Sequence, residues 1–254
     1  MSTEQQLAAV VSAANNLTNI VTSKVDDIDK ALEASRRKYE AQLVSLEQRL
    51  PRLALTRNFN MTADATGTLI DGWAVHQQVT ATKLRTVTAA AHTAGRPQAD
   101  VDFMLQVQAD VREQYPDFDI SSTGYWRTSI NVWQMKWSDN QGTPQSGMWL
   151  AFPYSVDSDR ASGGTPVSLN SCMTFGAFVR VIEGAVSGFW STQSEKGKWR
   201  WCSEVVLPAQ RFGYYAHLHP MRNSEGGVVE VMLAGACTGV VAHPADWGTM
   251  LALG

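Results

Sequence analysis

Apolar residues recur every three or four positions through the first fifty residues, with no glycine or proline between them. Six apolar residues form a seam with spacings of three, four and seven: Leu32, Tyr39, Leu43, Leu46, Leu50 and Leu53. An upstream run through Leu17, Val21 and Ile28 meets this seam out of register, as at a stutter. The spacing predicts one long coiled-coil helix over residues 1–50.

The ends of this helix carry their own signals. Ser2 followed by Gln5 matches a capping box, in which each side chain bonds the other residue's backbone N–H. Pro51 ends the helix because it has no backbone N–H and its ring clashes with the preceding turn. A single helix with one apolar seam buries too little surface to be stable alone. It either packs on the rest of the chain or self-associates, and self-association is favoured because no second helix of comparable length follows.

Residues 51–120 have a mixed pattern. Turn residues at 62–67 precede a short strand-like run at 68–72, and the Thr-, Ala- and Val-rich stretch at 75–94 fits a helix or an extended segment. Apolar residues at helical spacing then predict a short amphipathic helix at about 99–115. We expect an α/β shoulder here, with the helix packed on the C-terminal domain or on a neighbouring chain.

Residues 121–254 contain 17 of the 23 aromatic residues, in short β-branched runs separated by turn clusters. The predicted strands are 125–137, 147–153, 173–182, 186–191, 198–206, 212–218 and 228–236. Many short strands with regular turns favour an antiparallel β-sandwich of the jelly-roll type. The sequence thus predicts an α+β chain with a coiled-coil stalk (1–50), a shoulder (51–120) and a β-sandwich tip (121–254).

Composition argues against several classes of function. A net charge of -3, from 21 Lys+Arg and 24 Asp+Glu, gives no field that would attract nucleic acid. The amino terminus lacks the basic flank of a secretory signal and no apolar run is long enough to span a bilayer, so we expect no membrane insertion. Cys172, Cys202 and Cys237 lack metal-ligand spacing, and we expect them to be reduced core residues.

Two segments resemble a known class of protein. The run NNLTNIVTSKVDDID (15–29), the charged coiled-coil segment after it, and the run NFNMTADATGTLIDG (58–72) resemble the amino-terminal parts of bacteriophage tail-fibre proteins. The resemblance implies a slender homotrimer in the virion tail, assembled in the host cytoplasm. It also implies an amino-terminal end that binds a tail or baseplate protein and a carboxy-terminal end that faces the host cell.

Aromatic residues are the main candidates for receptor binding. An exposed aromatic face packs against the C–H bonds of a sugar ring while the sugar hydroxyls bond nearby polar groups. The candidates for glycan contact are Trp133, Trp137, Trp149, Trp190, Trp199, Trp201, Tyr214 and Tyr215. Trp133 and Trp137 share one strand face, as do Trp199 and Trp201. The alternative is that most of these tryptophans fill the core or a subunit interface.

Two histidines suggest a metal site. His217 and His219 lie two residues apart on a predicted strand, so they share a face, and three copies around a trimer axis would present six imidazoles, a set suited to iron or nickel. The alternative is local hydrogen bonding of ordinary histidines. Asp157 and Asp159 resemble part of a calcium loop but lack its closing Glu, so a polar hairpin loop is favoured.

Sequence motifs for common enzyme chemistries are missing, including Gly-x-Ser-x-Gly, a phosphate-binding Gly-rich loop, His-Glu-x-x-His and Cys-x-x-Cys. We therefore do not expect an enzyme. The self-association helix, the Trp-rich β domain and the resemblance to tail fibres together predict a host-recognition adhesin. Its tip would bind a bacterial surface glycan, such as lipopolysaccharide, or an outer-membrane protein. The alternatives are a structural tail or baseplate component that docks another virion protein, and a glycan hydrolase or esterase carried on the tip.

Overall fold

The computed structural model describes most of the chain, in two compact units, Met1–Leu50 and Pro51–Gly254. The described residues are 2–49, 51–88, 96–121, 129–138, 148–158, 166–169, 171–209, 211–216 and 218–249, with the side chains of the first helix described as far as residue 42. Within these ranges, no helix is both long and apolar enough to cross a membrane.

The first unit is one helix, α1 (Thr3–Arg49), as the apolar spacing predicted. The capping box forms, because Gln5 Oε1 accepts the Ser2 backbone N–H at 3.0 Å and Ser2 Oγ accepts the Gln5 N–H at 3.4 Å. Leu53 lies beyond the end of the helix, and its backbone N–H donates to Thr238 Oγ1 at 3.0 Å. The prediction that Leu53 continues the helical seam is wrong, since Pro51 has already stopped the helix.

The second unit is mostly antiparallel β-structure with one α-helix, α2 (Gln98–Arg112). Its described strands, in chain order, are β1 (Trp73–Val75), β2 (Thr80–Val87), β3 (Ile130–Trp137), β4 (Ala151–Pro153), β5 (Val167–Ser168), β6 (Met173–Glu183), β7 (Val186–Ser187), β8 (Trp199–Val206), β9 (Tyr215–Ala216), β10 (Met221–Arg222) and β11 (Gly227–Thr238). Short 3-10 helices cover Gly188–Ser191 and Pro244–Thr249. The fold class is therefore α+β, as predicted.

A five-stranded sheet forms the centre of this unit, in the order β2-β3-β11-β6-β8, with all neighbours antiparallel. The predicted strands at 173–182, 198–206 and 228–236 match β6, β8 and β11 within two residues. The undecided stretch at 75–94 contains an edge strand, β2, while the run at 68–72 makes only a single bridge between Ile70 and Ala63. The remaining pairs, β1-β4, β5-β9 and β7-β10, have two strands each, so the described residues contain no second sheet of the size that a sandwich needs.

Both faces of the five-stranded sheet are covered, which explains its apolar sequence. Eleven of the twelve residues of β11 are buried, where a sheet with one wet face would alternate apolar and polar residues. One face packs against α2 through Phe103, Met104, Val107 and Val111. The other packs against β1, β4 and the irregular segments around them.

The predicted helix at about 99–115 is confirmed as α2, and it packs on the body. Its C-terminal end is held on β8 by an ionic cluster in which Glu113 accepts hydrogen bonds from Lys198 and Arg200. These cations hold the pKa of the Glu113 carboxyl below its usual range. Since 51–120 contributes β1, β2 and α2 to the same unit as the rest, the expected boundary at residue 120 does not separate two domains.

Candidate functional site

Five of the six candidate tryptophans lie in the core. Their exposed fractions are at most 2%: Trp133, Trp137, Trp190, Trp199 and Trp201. The indole N–H of Trp133 donates to the Met61 carbonyl at 2.7 Å, and that of Trp137 donates to the Ser224 carbonyl at 3.0 Å. A sugar ring needs an exposed aromatic face, so the expectation that these five contact a glycan is wrong for this fold.

Trp199 and Trp201 share a face of β8, as the alternation of side chains along a strand predicted. The alternation did not show what covers that face. Trp199 and Trp201 both point toward α2, where Trp199 meets Phe103 edge-on at 5.8 Å between ring centroids. Trp201 packs on Trp247 at 4.8 Å. The covering helix and the 3-10 helix are distant in sequence, so strand periodicity alone carries no signal of them.

The two candidate tyrosines are exposed and line the same surface cavity. Tyr214 is 47% exposed and Tyr215 is 56% exposed. The cavity has a volume of about 440 Å³ and is lined by Pro166, Ser168, Leu169, Ala209, Arg211, Gly213, Tyr214 and Tyr215. This volume lies within the range of about 300–1,000 Å³ that is usual for small-ligand sites.

A tight turn forms one wall of the cavity. The backbone N–H of Tyr214 donates to the Arg211 carbonyl at 3.3 Å, which closes a four-residue turn. Gly213, at its third position, has a φ of 67°, a left-handed conformation that glycine adopts without strain. The turn leaves the Phe212 side chain fully exposed at its apex and brings its first and last side chains together.

The pairing of β5 with β9 supplies further lining residues of the cavity. Ser168 pairs with Tyr215, and Val167 pairs with Ala216. Because side chains alternate along each strand, Val167 and Ala216 are buried while Ser168 and Tyr215 face outward. The Leu169 N–H donates to the Tyr214 carbonyl at 2.9 Å and ties this pair to the turn.

Arg211 supplies the charge of the cavity. Its guanidinium carbon lies 5.6 Å from the centre of the Tyr214 ring, which is a cation–π arrangement. Sequence reasoning did not select Arg211, Ser168 or Phe212. The run Arg211-Phe-Gly-Tyr-Tyr215 did carry a signal, since a glycine flanked by aromatic residues predicts a turn that exposes them.

Trp149, the remaining candidate tryptophan, is half-buried and lies beside two histidines. The rings of His76 and His219 meet its indole edge-on, at 4.9 and 5.4 Å between centroids. The buried Arg222 reaches His76, with 3.3 Å between Arg222 Nη2 and His76 Nδ1. Burial, and to a lesser extent the charge of Arg222, holds the pKa of the His76 imidazole below its ordinary value.

The described residues offer little support for the predicted metal site at His217 and His219. His217 lies outside the described residues, and the ring of His219 stacks on Phe152 at 6.0 Å between centroids. No group of three or more metal-binding side chains occurs in the described ranges. Asp159 also lies outside them, while Asp157 accepts a hydrogen bond from Ser168 Oγ at 3.4 Å, in keeping with a polar loop.

The cysteines and the helical seam complete the account of the candidate residues. All three cysteines are free thiols, but only Cys202 and Cys237 are core residues as predicted, since Cys172 is half-buried. Burial raises the pKa of Cys237 to about 12. On α1, Leu32 is 68% exposed and Tyr39 is 66% exposed. The side chains of Leu43 and Leu46 and the whole of Leu50 lie outside the described part of the chain.

No protein-family model, curated protein or solved structure matches this chain.

Proposed function

We propose that this chain is a host-attachment protein of a phage tail, a homotrimer whose second unit binds a bacterial surface glycan. The observation that carries the proposal is the cavity in which Tyr214, Tyr215 and Arg211 are exposed together. Two aromatic faces, a hydroxyl on Ser168 and a guanidinium match what a sugar offers, namely C–H faces and hydroxyl groups.

The helix supports the self-association part of the proposal. Apolar side chains along α1 are between 50% and 68% exposed: Leu7, Val10, Val11, Leu17, Ile20, Val21, Val25, Ile28, Leu32 and Tyr39. Leaving so many large apolar side chains in water is unfavourable, and copies of the same helix would cover them in a coiled coil. The tail-fibre resemblance implies that three copies of this helix associate in parallel.

Trimer formation would also explain how a shallow site gives firm attachment. A small open cavity on one chain is expected to hold a sugar weakly. Three such sites joined by one stalk would act at a high effective concentration, so the trimer would bind a repetitive surface far more tightly than one chain does.

The test is binding of the full-length protein to a glycan array and to whole bacterial cells, with its mass measured by light scattering. We expect a mass near three times the 27.8 kDa of one chain and binding to at least one glycan class or cell type. A folded protein that binds no glycan and no cell would contradict the proposal. Specific binding to another virion protein alone would favour the structural-component alternative.

A further inference from the structure

The charge of the cavity suggests which sugars it takes, an inference that rests on the proposed glycan-binding function. Among the described residues that line the cavity, Arg211 is the only charged one, and none of them carries a carboxylate. One lining residue contacts an acidic group, since Ser168 Oγ donates to Asp157 Oδ2 at 3.4 Å. The cavity wall therefore favours a negative group over a positive one.

Arg211 is suited to binding an anion beside Tyr214. Its guanidinium carbon lies over the Tyr214 ring, 5.6 Å from the ring centre, and this cation–π contact restrains the guanidinium without using its N–H donors. No carboxylate within the described ranges pairs with Arg211 at salt-bridge distance. A planar guanidinium binds a carboxylate or phosphate through two parallel hydrogen bonds, which gives direction as well as charge.

The neighbouring groups suit the remainder of a sugar residue. Tyr215 and Ser168 face outward side by side on paired strands, so a hydroxyl-bearing ring beside Arg211 would meet both an aromatic face and a hydroxyl. The cavity volume of about 440 Å³ suits a short segment of saccharide more than a long chain.

We propose that this cavity recognises an acidic saccharide, in which a carboxylate or phosphate group pairs with Arg211 while the sugar ring packs on Tyr214 and Tyr215. A uronic acid and a sugar phosphate both carry an anionic group on a sugar. The experiment below distinguishes between these two ligands. The preference for acidic sugars comes from Arg211, whereas the affinity common to all sugars comes from the tyrosines and Ser168.

The experiment measures affinities of the full-length protein for three matched oligosaccharides, one with a uronic acid, one with a phosphate, and one neutral. The variant is Arg211→Gln, and its control is Arg85→Gln, which removes another exposed arginine stacked on an aromatic ring, here at 4.6 Å from Phe103. We expect wild type and Arg85→Gln to bind an acidic sugar at least tenfold more tightly than the neutral one, and Arg211→Gln to lose that preference. Added salt should weaken acidic binding and leave neutral binding unchanged.

The outcomes separate this inference from the function on which it rests. Preference for the uronic acid or for the phosphate supports the inference and identifies the source of the anion. Equal binding of neutral and acidic sugars by the wild type, or an unchanged preference in Arg211→Gln, overturns the inference while glycan binding stands. Failure to bind any of the three sugars, by a protein that binds another glycan or a cell, overturns the inference alone. Failure to bind any glycan and any cell overturns both.

Discussion

The indole of Trp137 fills the space beside Gly227, its direct partner across strands β3 and β11. A Cβ atom at Gly227 would lie 2.2 Å from Cζ2 of that indole. The ring is 2% exposed and its N–H is bonded to the Ser224 carbonyl at 3.0 Å, so it has no free path away from an added methyl group. A tryptophan selected from sequence as a receptor contact is thus a fixed part of the sheet.

We predict that Gly227→Ala lowers the free energy of unfolding by about 1–3 kcal/mol, the usual effect of overpacking a filled core. Urea unfolding of the full-length protein measures this change. The control is Gly248→Ala, because an added Cβ there meets no atom within 4 Å. Equal stability of the two variants would show that the indole of Trp137 does not occupy this space.

Truncation of a core aromatic residue should lower the stability of the protein much more than truncation of a surface one. Trp201→Ala removes a fully buried indole and is expected to cost about 3–5 kcal/mol of stability. Tyr215→Ala removes a half-exposed ring and should change stability by about 0.5 kcal/mol or less. Thermal unfolding separates the two. A Trp201→Ala protein that keeps its stability and loses cell binding would show that Trp201 contacts the receptor and is not a core residue.

Truncation tests the domain organisation. A fragment of residues 121–254 lacks α2 and the edge strand β2, so it uncovers one face of the sheet and one side of β3. We predict that this fragment is insoluble or unfolded, whereas residues 51–254 fold with a cooperative thermal transition. Circular dichroism of the two fragments makes the comparison. A 121–254 fragment that folds cooperatively would contradict this prediction and support a domain boundary at residue 120.

His76 should make stability depend on pH. Its Nδ1 accepts the Gln78 backbone N–H at 3.1 Å and faces the Arg222 guanidinium, so the folded chain favours the neutral ring. Burial of the ring and, to a lesser extent, the charge of Arg222 lower its pKa in the folded chain below the ordinary 6.5. As the pH falls below about 6.5, the unfolded chain gains a proton that the folded chain resists, and the free energy of unfolding decreases.

The measurement for His76 is urea unfolding between about pH 7.5 and pH 5.5. In His76→Asn, the amide oxygen keeps an acceptor near the position of Nδ1 but does not titrate in this range. We expect the loss of stability on acidification to be smaller in the variant than in the wild type. Identical pH dependence in both proteins would contradict this role for His76.

The stalk is tested at two described seam positions. Leu32→Asp combined with Tyr39→Asp would bury charges in a coiled-coil seam, and we predict that the double variant is monomeric. The control is Glu33→Gln with Arg37→Gln, which removes an exposed ion pair of 3.2 Å on the same helix. Light scattering gives the masses. An unchanged oligomer mass in the aspartate variant would exclude this seam as the association surface.

Local patterns in the sequence were enough for the elements whose signals are local. The capping box, the stop at Pro51, helix α2 and strands β6, β8 and β11 were all predicted from spacing or from residue type. Strand β2 was not, because its Thr- and Ala-rich sequence has no decisive period and it becomes a strand by pairing with β3, which follows α2 in the chain.

Burial of the tryptophans shows the limit of this reasoning most clearly. Alternation along a strand showed that Trp199 and Trp201 share a face, yet only the packing of α2 decides whether that face is wet. The site at Tyr214 and Tyr215 was predicted only in part. The aromatic residues were selected from the sequence, whereas Arg211 was not, although the local turn at Gly213 brings it to Tyr214.

The most direct test of the central claim is the affinity of the full-length protein for the surface polysaccharide of a bacterium that it binds. Three proteins are compared: wild type, Tyr214→Ala with Tyr215→Ala, and the control Leu207→Ala, which removes a side chain that is 70% exposed and does not line the cavity. We predict that the double variant loses at least tenfold in affinity with its melting temperature unchanged, while the control binds as the wild type does. A double variant that is folded and binds with wild-type affinity would contradict the claim that this cavity is the receptor site.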